Sequence, residues 1–216
     1  MQKDGTLAAS GINTCIFCNK FGDTGSQKRD PVFDKILCKN DSFLVVPAMG
    51  SLVPGYLLIL TRGHFTSMAR LPPEMLRELT RLKDRVRDRL QNSFGPLVFF
   101  EHGMICSSNN AGNSIGHAHM HAVPFRGDLL GKILADHDAL SIRNFDDIIR
   151  QYNRNHSYVF FEDQNGNMYI IDDANVPSQY VRRLLAEDLG RPGKWDWAVC
   201  TFPEHAHATI NELDNL

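Results

Sequence analysis

Three histidines separated by single residues are the densest chemical signal in this sequence of 216 residues, at His117, His119 and His121. Side chains alternate between the two faces of a strand, so a strand here would place the three imidazoles on one face, about 6.6 Å apart. Ala118 and Met120 would then lie on an opposite, apolar face suited to packing against a helix. Such a row predicts a reaction centre or a metal centre.

Two kinds of chemistry fit this row of imidazoles. Three histidines hold zinc in open catalytic sites. Alternatively, one imidazole is a nucleophile that attacks phosphorus, while its neighbours orient it and handle protons, because imidazole is partly neutral near pH 7. The residues alone leave both interpretations open.

Cys15 and Cys18 form a second candidate site. Cysteines at Cys-x-x-Cys spacing bind zinc in a reducing compartment or, less often, form a redox pair. A redox pair would begin a helix in a strand-helix-strand unit, which the flanking sequence does not suggest. A structural zinc would need two more ligands. The odd total of five cysteines argues against a disulfide framework.

The histidine row and its surroundings resemble the histidine-triad (HIT) superfamily of nucleotide hydrolases and transferases. The match over residues 13–125 rests on the run His-Ala-His-Met-His-Ala-Val, the preceding Ala-Gly-Asn-Ser-Ile-Gly, the Cys-x-x-Cys pair and the hairpin strand that leads from Gly55 to His64. Residues 177–183 and 195–197 are similar to the tails of larger HIT relatives, including dinucleoside-tetraphosphate phosphorylase-like proteins. The resemblance implies the HIT-like fold.

The resemblance implies a role for each motif residue. His119 would be the nucleophile that attacks the α-phosphorus of a nucleotide and forms a covalent nucleotidyl-imidazole, with no metal required at that step. His121 would bind phosphate oxygens or the leaving group. Gly112 and Ser114 would contact phosphate. Asn113 stands where the family commonly has Gln, and its shorter side chain bears on how the leaving group is handled.

A zinc site is also implied by the resemblance. In zinc-containing HIT relatives, a histidine after the hairpin and the first triad histidine complete the ligand set, here His64 and His117. Together with Cys15 and Cys18 they would form one structural zinc site per chain. This site would tie the N-terminal loop to the catalytic strand and would help to position His119, two residues further on.

The expected function is hydrolysis of a nucleotide phosphoanhydride or phosphoramidate at the α-phosphate. Dinucleoside polyphosphates and nucleoside phosphoramidates are the expected substrates. Two alternatives stay open: a nucleotidyltransferase or dinucleoside-polyphosphate phosphorylase that passes the intermediate to another acceptor, and a non-catalytic nucleotide-binding sensor. Because HIT proteins usually pair through the helix and a sheet edge, the resemblance also implies a homodimer.

The sequence predicts the main strands and the helix that position these residues. Apolar runs predict a strand hairpin over 43–60, and strands over 97–100 and 115–124. Between them, a stripe from Met75 to Leu90 predicts an amphipathic helix that ends at Gly95, with its charged residues on a solvated face. His102 follows a buried strand, where it either edges the pocket or forms a structural pair with Glu101.

The second half of the chain predicts fewer elements. Residues 127–155 are mixed and polar with one short helix over 145–152, and an Asn-Gly turn predicts a hairpin over 158–171. Ser178 is predicted to cap a surface helix that runs to Leu189 and carries Arg182 and Arg183. His205 and His207 are expected on the surface, because no partner motif accompanies them.

Strands that follow one another without crossover helices predict a mostly antiparallel α+β fold. We expect a HIT catalytic domain over residues 10–125 and a C-terminal extension over 126–216 packed on it. The chain is 43% hydrophobic and 22% charged with a net charge of -2, which excludes a disordered chain and argues against nucleic-acid or membrane binding. With no spanning or signal segment, a cytoplasmic protein is expected.

Overall fold

A computed structural model describes residues 15–22, 27–103, 116–154, 157–173 and 175–213. Its strands are β1 (Cys38–Lys39), β2 (Phe43–Pro47), β3 (Leu57–Thr61), β4 (Leu97–Gly103), β5 (His119–Pro124), β6 (Leu140–Ile142), β7 (Tyr158–Glu162) and β8 (Met168–Ile171). In this part of the chain they form one antiparallel sheet in the order β1-β2-β3-β5-β4-β7-β8-β6. The predicted α+β class is confirmed.

Helices cover both faces of this sheet. They are α1 (Ile16–Phe21), α2 (Pro73–Phe94), α3 (Leu129–Asp136), α4 (Ile149–Arg154), α5 (Tyr180–Asp188) and α6 (Pro203–Leu213). Alternating strand residues divide the core: Phe43 and Val45 pack on the side of α2, whereas Leu44 and Val46 pack on the side of α3 and α5. None of the described helices is long and apolar enough to cross a membrane.

Helix α2 has the predicted apolar stripe. Leu79, Leu82, Val86 and Leu90 are buried against one face of the sheet. Pro73 stands in the first turn, where its missing N–H has no helical partner to lose. The helix ends at Gly95, whose φ of 99° is a backbone conformation that side chains disfavour.

The charged face of α2 is not fully solvated, contrary to the prediction. Lys83 is only 5% exposed, and both Lys83 and Arg87 form ion pairs with Glu162 of β7. The two cations also lie 5.5 and 4.7 Å from the ring centre of Phe99. The C-terminal half of the chain brings Glu162 to this face, a long-range contact that helical periodicity cannot reveal.

Strands from the second half of the chain extend the sheet of the first half. Strand β7 pairs with β4 from Phe99 to Gly103, with Phe100 opposite Phe161 and Gly103 opposite Tyr158. The predicted hairpin is present as β7 and β8, and the turn between them places Gly166 at a φ of 83°. Residues 126–216 therefore continue the same sheet, while the division into a catalytic domain and an extension stays a prediction.

Several predicted boundaries need correction. The fifth strand begins at His119, so His117 precedes it, and Ile115 lies outside the described residues. Helix α5 begins after Gln179, which is the N-cap at a left-handed φ of 59°, rather than at Ser178. Helices α3 and α6 have no counterpart in the predicted elements. The 145–152 segment is a 3-10 turn (Phe145–Ile148) followed by α4.

Both edges of the described sheet are short strands. β1 has two residues and β6 has three, and short edges reduce pairing with other chains. The inner strand β4, which would be an edge of a sheet made by the first half alone, is covered by β7. The predicted homodimer stays a prediction.

Candidate active site and metal centre

Strand β5 sets the histidines at the centre of the sheet. It lies between β3 and β4, with His119 opposite Leu60 and His121 opposite both Leu58 and Phe100. Ala118, Met120 and Ala122 are buried on the α2 side, as the alternation predicts. The imidazoles of His119 and His121 therefore share the other face, where their ring centres lie 4.9 Å apart.

His119 is held by a single backbone contact at Nδ1. This atom lies 2.7 Å from the carbonyl oxygen of His117. A carbonyl oxygen only accepts, so Nδ1 carries the proton and donates it, which leaves Nε2 with a free lone pair. Burial lowers the pKa of His119, and the charge of Arg182 lowers it further against the opposing effect of the His117 carbonyl. At neutral pH the imidazole is therefore neutral, with its lone pair on Nε2.

His121 is held by aromatic neighbours. Its ring stacks on Phe100, with ring centres 4.4 Å apart and planes 8° apart. Its Nδ1 lies 2.8 Å from the hydroxyl oxygen of Tyr56. Burial holds the pKa of His121 well below its ordinary value, and His119, Arg182 and His102 add to this effect. His121 is therefore neutral as well.

Four predicted ligands meet in one cluster: Cys15, Cys18, His64 and His117. The sulfur of Cys18 lies 3.3 Å from Nδ1 of His64 and 3.6 Å from Nδ1 of His117, and the sulfur of Cys15 lies 3.4 Å from the same His117 atom. In a tetrahedral zinc site, bond lengths of about 2.3 and 2.0 Å separate sulfur and nitrogen ligands by about 3.6 Å. The spacing of these four residues fits such an ion.

The surroundings of the cluster also fit a cation. Nε2 of His117 lies 2.8 Å from the carbonyl oxygen of Thr61 and donates to it, which leaves Nδ1 free to face the sulfurs. Burial, followed by the adjacent Cys15, raises the pKa of Cys18 to about 12. Burial lowers the pKa of His117 to about 4. Burial therefore disfavours the Cys18 thiolate, which a bound cation would stabilise, whereas it already favours the neutral imidazole of His117 that a metal needs.

A cavity of about 100 Å³ lies against His119 and His121. One part of its wall is aromatic and apolar, and the other part carries imidazoles. The walls come from α1, the sheet and the C-terminal segment, and include Phe17, Phe21, Phe33, Leu58, His102, Tyr180, Val181 and Trp197. Phe17 contacts both His117 and His119, with ring centres 5.5 and 5.8 Å apart. Phe17 thus links the cavity wall to both the metal cluster and the histidine row.

His102 lines this cavity, and Glu101 faces the other side of the sheet. The carboxylate of Glu101 accepts from the backbone N–H of Met68 at 2.7 Å and from the hydroxyl of Tyr158 at 2.7 Å. Of the two roles considered for His102 from sequence, the pocket position is correct. His102 lies on β4, outside the histidine motif, so no motif pointed to its position in the pocket.

Arg182 is the site residue that the sequence prediction misplaced. It is 3% exposed, so the predicted surface position is wrong. His205, also expected on the surface, is half-buried, and its Nδ1 donates to the carbonyl oxygen of Ser51 at 2.6 Å. His207 is exposed as predicted. Nothing in the local sequence distinguishes a buried arginine from an exposed one in an amphipathic helix.

The predicted phosphate-contact loop cannot be placed. Gly112, Asn113 and Ser114 lie outside the described residues. The structure therefore brings together the predicted metal ligands and two of the triad histidines, and it adds His102, Tyr56 and Arg182 to them.

Comparison with known proteins agrees with this description. Residues 31–128 match the family described as HIT domain, which assigns this part of the chain to that family, and further residues lie on both sides of the match. Over 195 residues it is 26% identical to the zinc finger CCCH domain-containing protein 64 of Arabidopsis thaliana. That stretch is 82% of this chain but only 31% of the Arabidopsis protein.

Two solved structures illustrate the likeness to other HIT proteins. One is a hypothetical histidine triad nucleotide-binding protein from Sulfolobus tokodaii, with 17% identity, a TM-score of 0.36, and coverage of 56% of this chain and 83% of that one. The other is a HIT family hydrolase from Clostridium thermocellum, with 14% identity, a TM-score of 0.39, and coverage of 54% and 93%. At these TM-scores neither likeness defines the ligand or the reaction of this chain.

Proposed function

We propose that the chain is a nucleotide hydrolase that acts at the α-phosphate through a covalent nucleotidyl-histidine on His119. The observation that carries the proposal is the contact between Nδ1 of His119 and the carbonyl oxygen of His117 at 2.7 Å. This contact fixes the tautomer that exposes a lone pair on Nε2 next to the cavity. Membership of the HIT domain family supports a nucleotide as the ligand.

The first step forms one bond and breaks one. Nε2 of His119 attacks the α-phosphorus, and the bond from phosphorus to the leaving group breaks as the N–P bond forms. The electron pair of the broken bond goes to the leaving group, which accepts a hydrogen bond from His121 and takes its proton from solvent. Because His119 is neutral in this site, no proton has to be removed from it before attack.

The second step restores the enzyme. A water molecule attacks the same phosphorus, the N–P bond breaks, and a nucleoside monophosphate is released. The water loses a proton to solvent, so His119 returns to its neutral starting state and His121 stays neutral throughout. In both steps the developing charge on the phosphate oxygens needs fixed donors, and His102 is a further imidazole on the wall of the cavity.

The side chains that line the cavity support a nucleotide ligand. They include the rings of Phe17, Phe21 and Phe33, on which a base could stack. They also include His119 and His121, where phosphate would lie. A dinucleoside polyphosphate or a nucleoside phosphoramidate has both groups, and both are the first substrates to try.

We also propose that Cys15, Cys18, His64 and His117 hold one structural zinc ion per chain. Their donor types and spacing support this assignment. When bound, zinc would supply a fixed link between the N-terminal segment and the residue whose carbonyl oxygen orients His119. It would take no part in bond breaking, because four protein ligands leave a tetrahedral site closed.

Turnover of a substrate panel tests the proposed function. The panel contains diadenosine tetraphosphate, an adenosine phosphoramidate, and a nucleotide sugar with and without phosphate. We expect the wild type to release a nucleoside monophosphate and His119→Ala to lose that activity, whereas His207→Ala, at an exposed histidine, retains it. A diphosphate product that requires added phosphate would identify a phosphorylase instead. Nucleotide binding without turnover would contradict the hydrolase and support a sensor.

A further inference from the structure

Arg182 connects the C-terminal segment to the histidine row. Its Nη1 donates to the hydroxyl oxygen of Tyr56 at 3.1 Å, its Nη2 to the carbonyl oxygen of Gly50 at 2.7 Å, and its Nε to the carbonyl oxygen of Trp195 at 3.0 Å. The guanidinium also lies 5.4 Å from the centre of the Tyr56 ring. Three directed hydrogen bonds in a buried environment hold this side chain in one orientation.

The direction of the hydrogen bonds at Tyr56 follows from the chemistry of arginine. A guanidinium can only donate, so the Tyr56 oxygen accepts from Arg182. In the part of the chain that the structure describes, the other partner of this hydroxyl is Nδ1 of His121, at 2.8 Å. Because Tyr56 is fully buried and an unpaired buried hydroxyl is costly, its proton is directed to that nitrogen.

The hydrogen bond from Tyr56 fixes the tautomer of His121. An Nδ1 atom that accepts a hydrogen bond carries no proton, so the proton of the neutral imidazole lies on Nε2. His119 has the reverse arrangement, because its Nδ1 donates to a carbonyl. At Nε2, His119 therefore presents a lone pair, and His121 presents an N–H.

We propose that Arg182 is a positioning residue that acts through Tyr56 to keep the proton of His121 on Nε2, where this N–H can donate a hydrogen bond to the leaving group. The proposal rests on the proposed function for its catalytic consequence. It goes beyond the histidine row, because Arg182 lies outside the residues that match the HIT domain. The C-terminal segment would therefore complete the active site of its own chain.

The tautomer itself is the first test, and it does not depend on turnover. Long-range proton–nitrogen NMR spectra distinguish the protonated nitrogen of each histidine ring from the bare one. We expect the wild type to have its His121 proton on Nε2, and Tyr56→Phe and Arg182→Met to have mixed tautomers. The inference is overturned if the wild type carries the proton on Nδ1, or if both variants keep the wild-type tautomer.

Kinetics with two leaving groups are the second test. A nucleotide with an amine leaving group needs a proton more than one with a nitrophenolate leaving group does. We expect Arg182→Met and Tyr56→Phe to lower kcat roughly 10- to 100-fold on the first substrate and much less on the second, with little change in KM. Arg182→Lys, which can still donate to Tyr56, should recover part of the loss.

The control is Arg191→Met. Arg191 also reaches from the C-terminal segment to a backbone carbonyl, that of Leu52 at 2.9 Å, but it does not line the cavity. It should keep both the wild-type kcat and the wild-type tautomer. Equal losses on the two substrates in Arg182→Met would overturn the proposal, since they would indicate general damage. If the wild type turns nothing over, the proposed function fails, while the NMR result still decides the tautomer.

Discussion

His119 and His121 are both held at Nδ1, but by opposite kinds of partner. A carbonyl oxygen faces this atom in His119, and a hydroxyl group faces it in His121. Their ring planes are inclined by 64°. Two residues of one type, two positions apart on one strand, are in this way given different chemistry at Nε2 by the backbone and by a tyrosine.

Removal of one metal ligand should remove the metal. We expect wild-type protein purified without chelator to contain one zinc per chain and Cys18→Ser to contain much less, because loss of a thiolate opens the tetrahedral site. Elemental analysis measures the content, and a lower Tm of the variant should accompany it. Cys38→Ser, at a thiol outside the cluster, is the control. Equal zinc in both variants, or none in the wild type, would contradict the zinc assignment.

The ion pairs of Glu162 should stabilise the junction between α2 and β7. Glu162→Gln leaves two buried or half-buried cations without their carboxylate, and we expect a loss of about 3–5 kcal/mol in the free energy of unfolding. Lys83→Met should cost less, because Glu162 keeps its pair with Arg87. Urea denaturation measures both values.

Asp84→Asn, at an exposed position next to Lys83 on the same helix, is the control for these variants. It should change the free energy of unfolding by less than about 0.5 kcal/mol. If Glu162→Gln is no more destabilising than Lys83→Met, the carboxylate does not hold the two cations together.

Glu101 should make stability fall as pH rises. Burial raises its pKa from 4.5 to about 7, against the hydrogen bonds from Tyr158 and Met68. The folded state therefore binds more protons than the unfolded state between pH 4.5 and about 7, so this group lowers stability progressively across that window and no further above it. Glu101→Gln, which cannot ionise, should lack this component.

The measurement is the difference in unfolding free energy between wild type and Glu101→Gln at a series of pH values. This difference cancels the contribution of the buried histidines, which titrate in both proteins. The expected change across the window is on the order of 3 kcal/mol in favour of the variant. A difference that is constant with pH would show that Glu101 keeps an ordinary pKa.

His102 should contribute to nucleotide affinity. It lines the cavity beside His119 and His121, and a hydrogen bond to a charged phosphate is worth enough to change affinity roughly 10- to 100-fold. We expect His102→Ala to raise the Kd for a nucleoside monophosphate by that factor in calorimetric titrations. His207→Ala serves as the matched histidine control. An unchanged Kd in His102→Ala would place this imidazole outside the phosphate site.

Local pattern was enough to predict the central strands and the long helix of the first half of the fold, although not α1 or β1. The alternation around His119 and the apolar stripe of α2 each depend on residues close together in sequence, and the structure contains both elements. The pairing of β4 with β7 joins residues about 60 positions apart, as in Phe100 and Phe161, and no local pattern encodes that choice. The same pairing brings Glu162 to Lys83. Because local pattern does not encode it, Lys83 was expected in solvent.

The site was predictable to the extent that spacing encodes it. Cys15 and Cys18 are spaced as a ligand pair, and the resemblance to HIT proteins pointed to His64 and His117 as their partners. Arg182 reaches the site through hydrogen bonds to Tyr56 and Gly50, which are 126 and 132 positions away, and its own helix resembles any amphipathic surface helix. Tertiary contacts of that kind carry no local sequence signal.

The covered edge of β4 has a consequence for synthesis of the chain. As the protein leaves the ribosome, β4 emerges long before β7, so its row of backbone N–H and C=O groups has no strand partner on one side until residue 162 is available. The first half of the chain is exposed to wrong pairing during this interval. Completion of the sheet, and with it the arrival of Arg182 beside Tyr56, therefore has to wait until the C-terminal segment has been made.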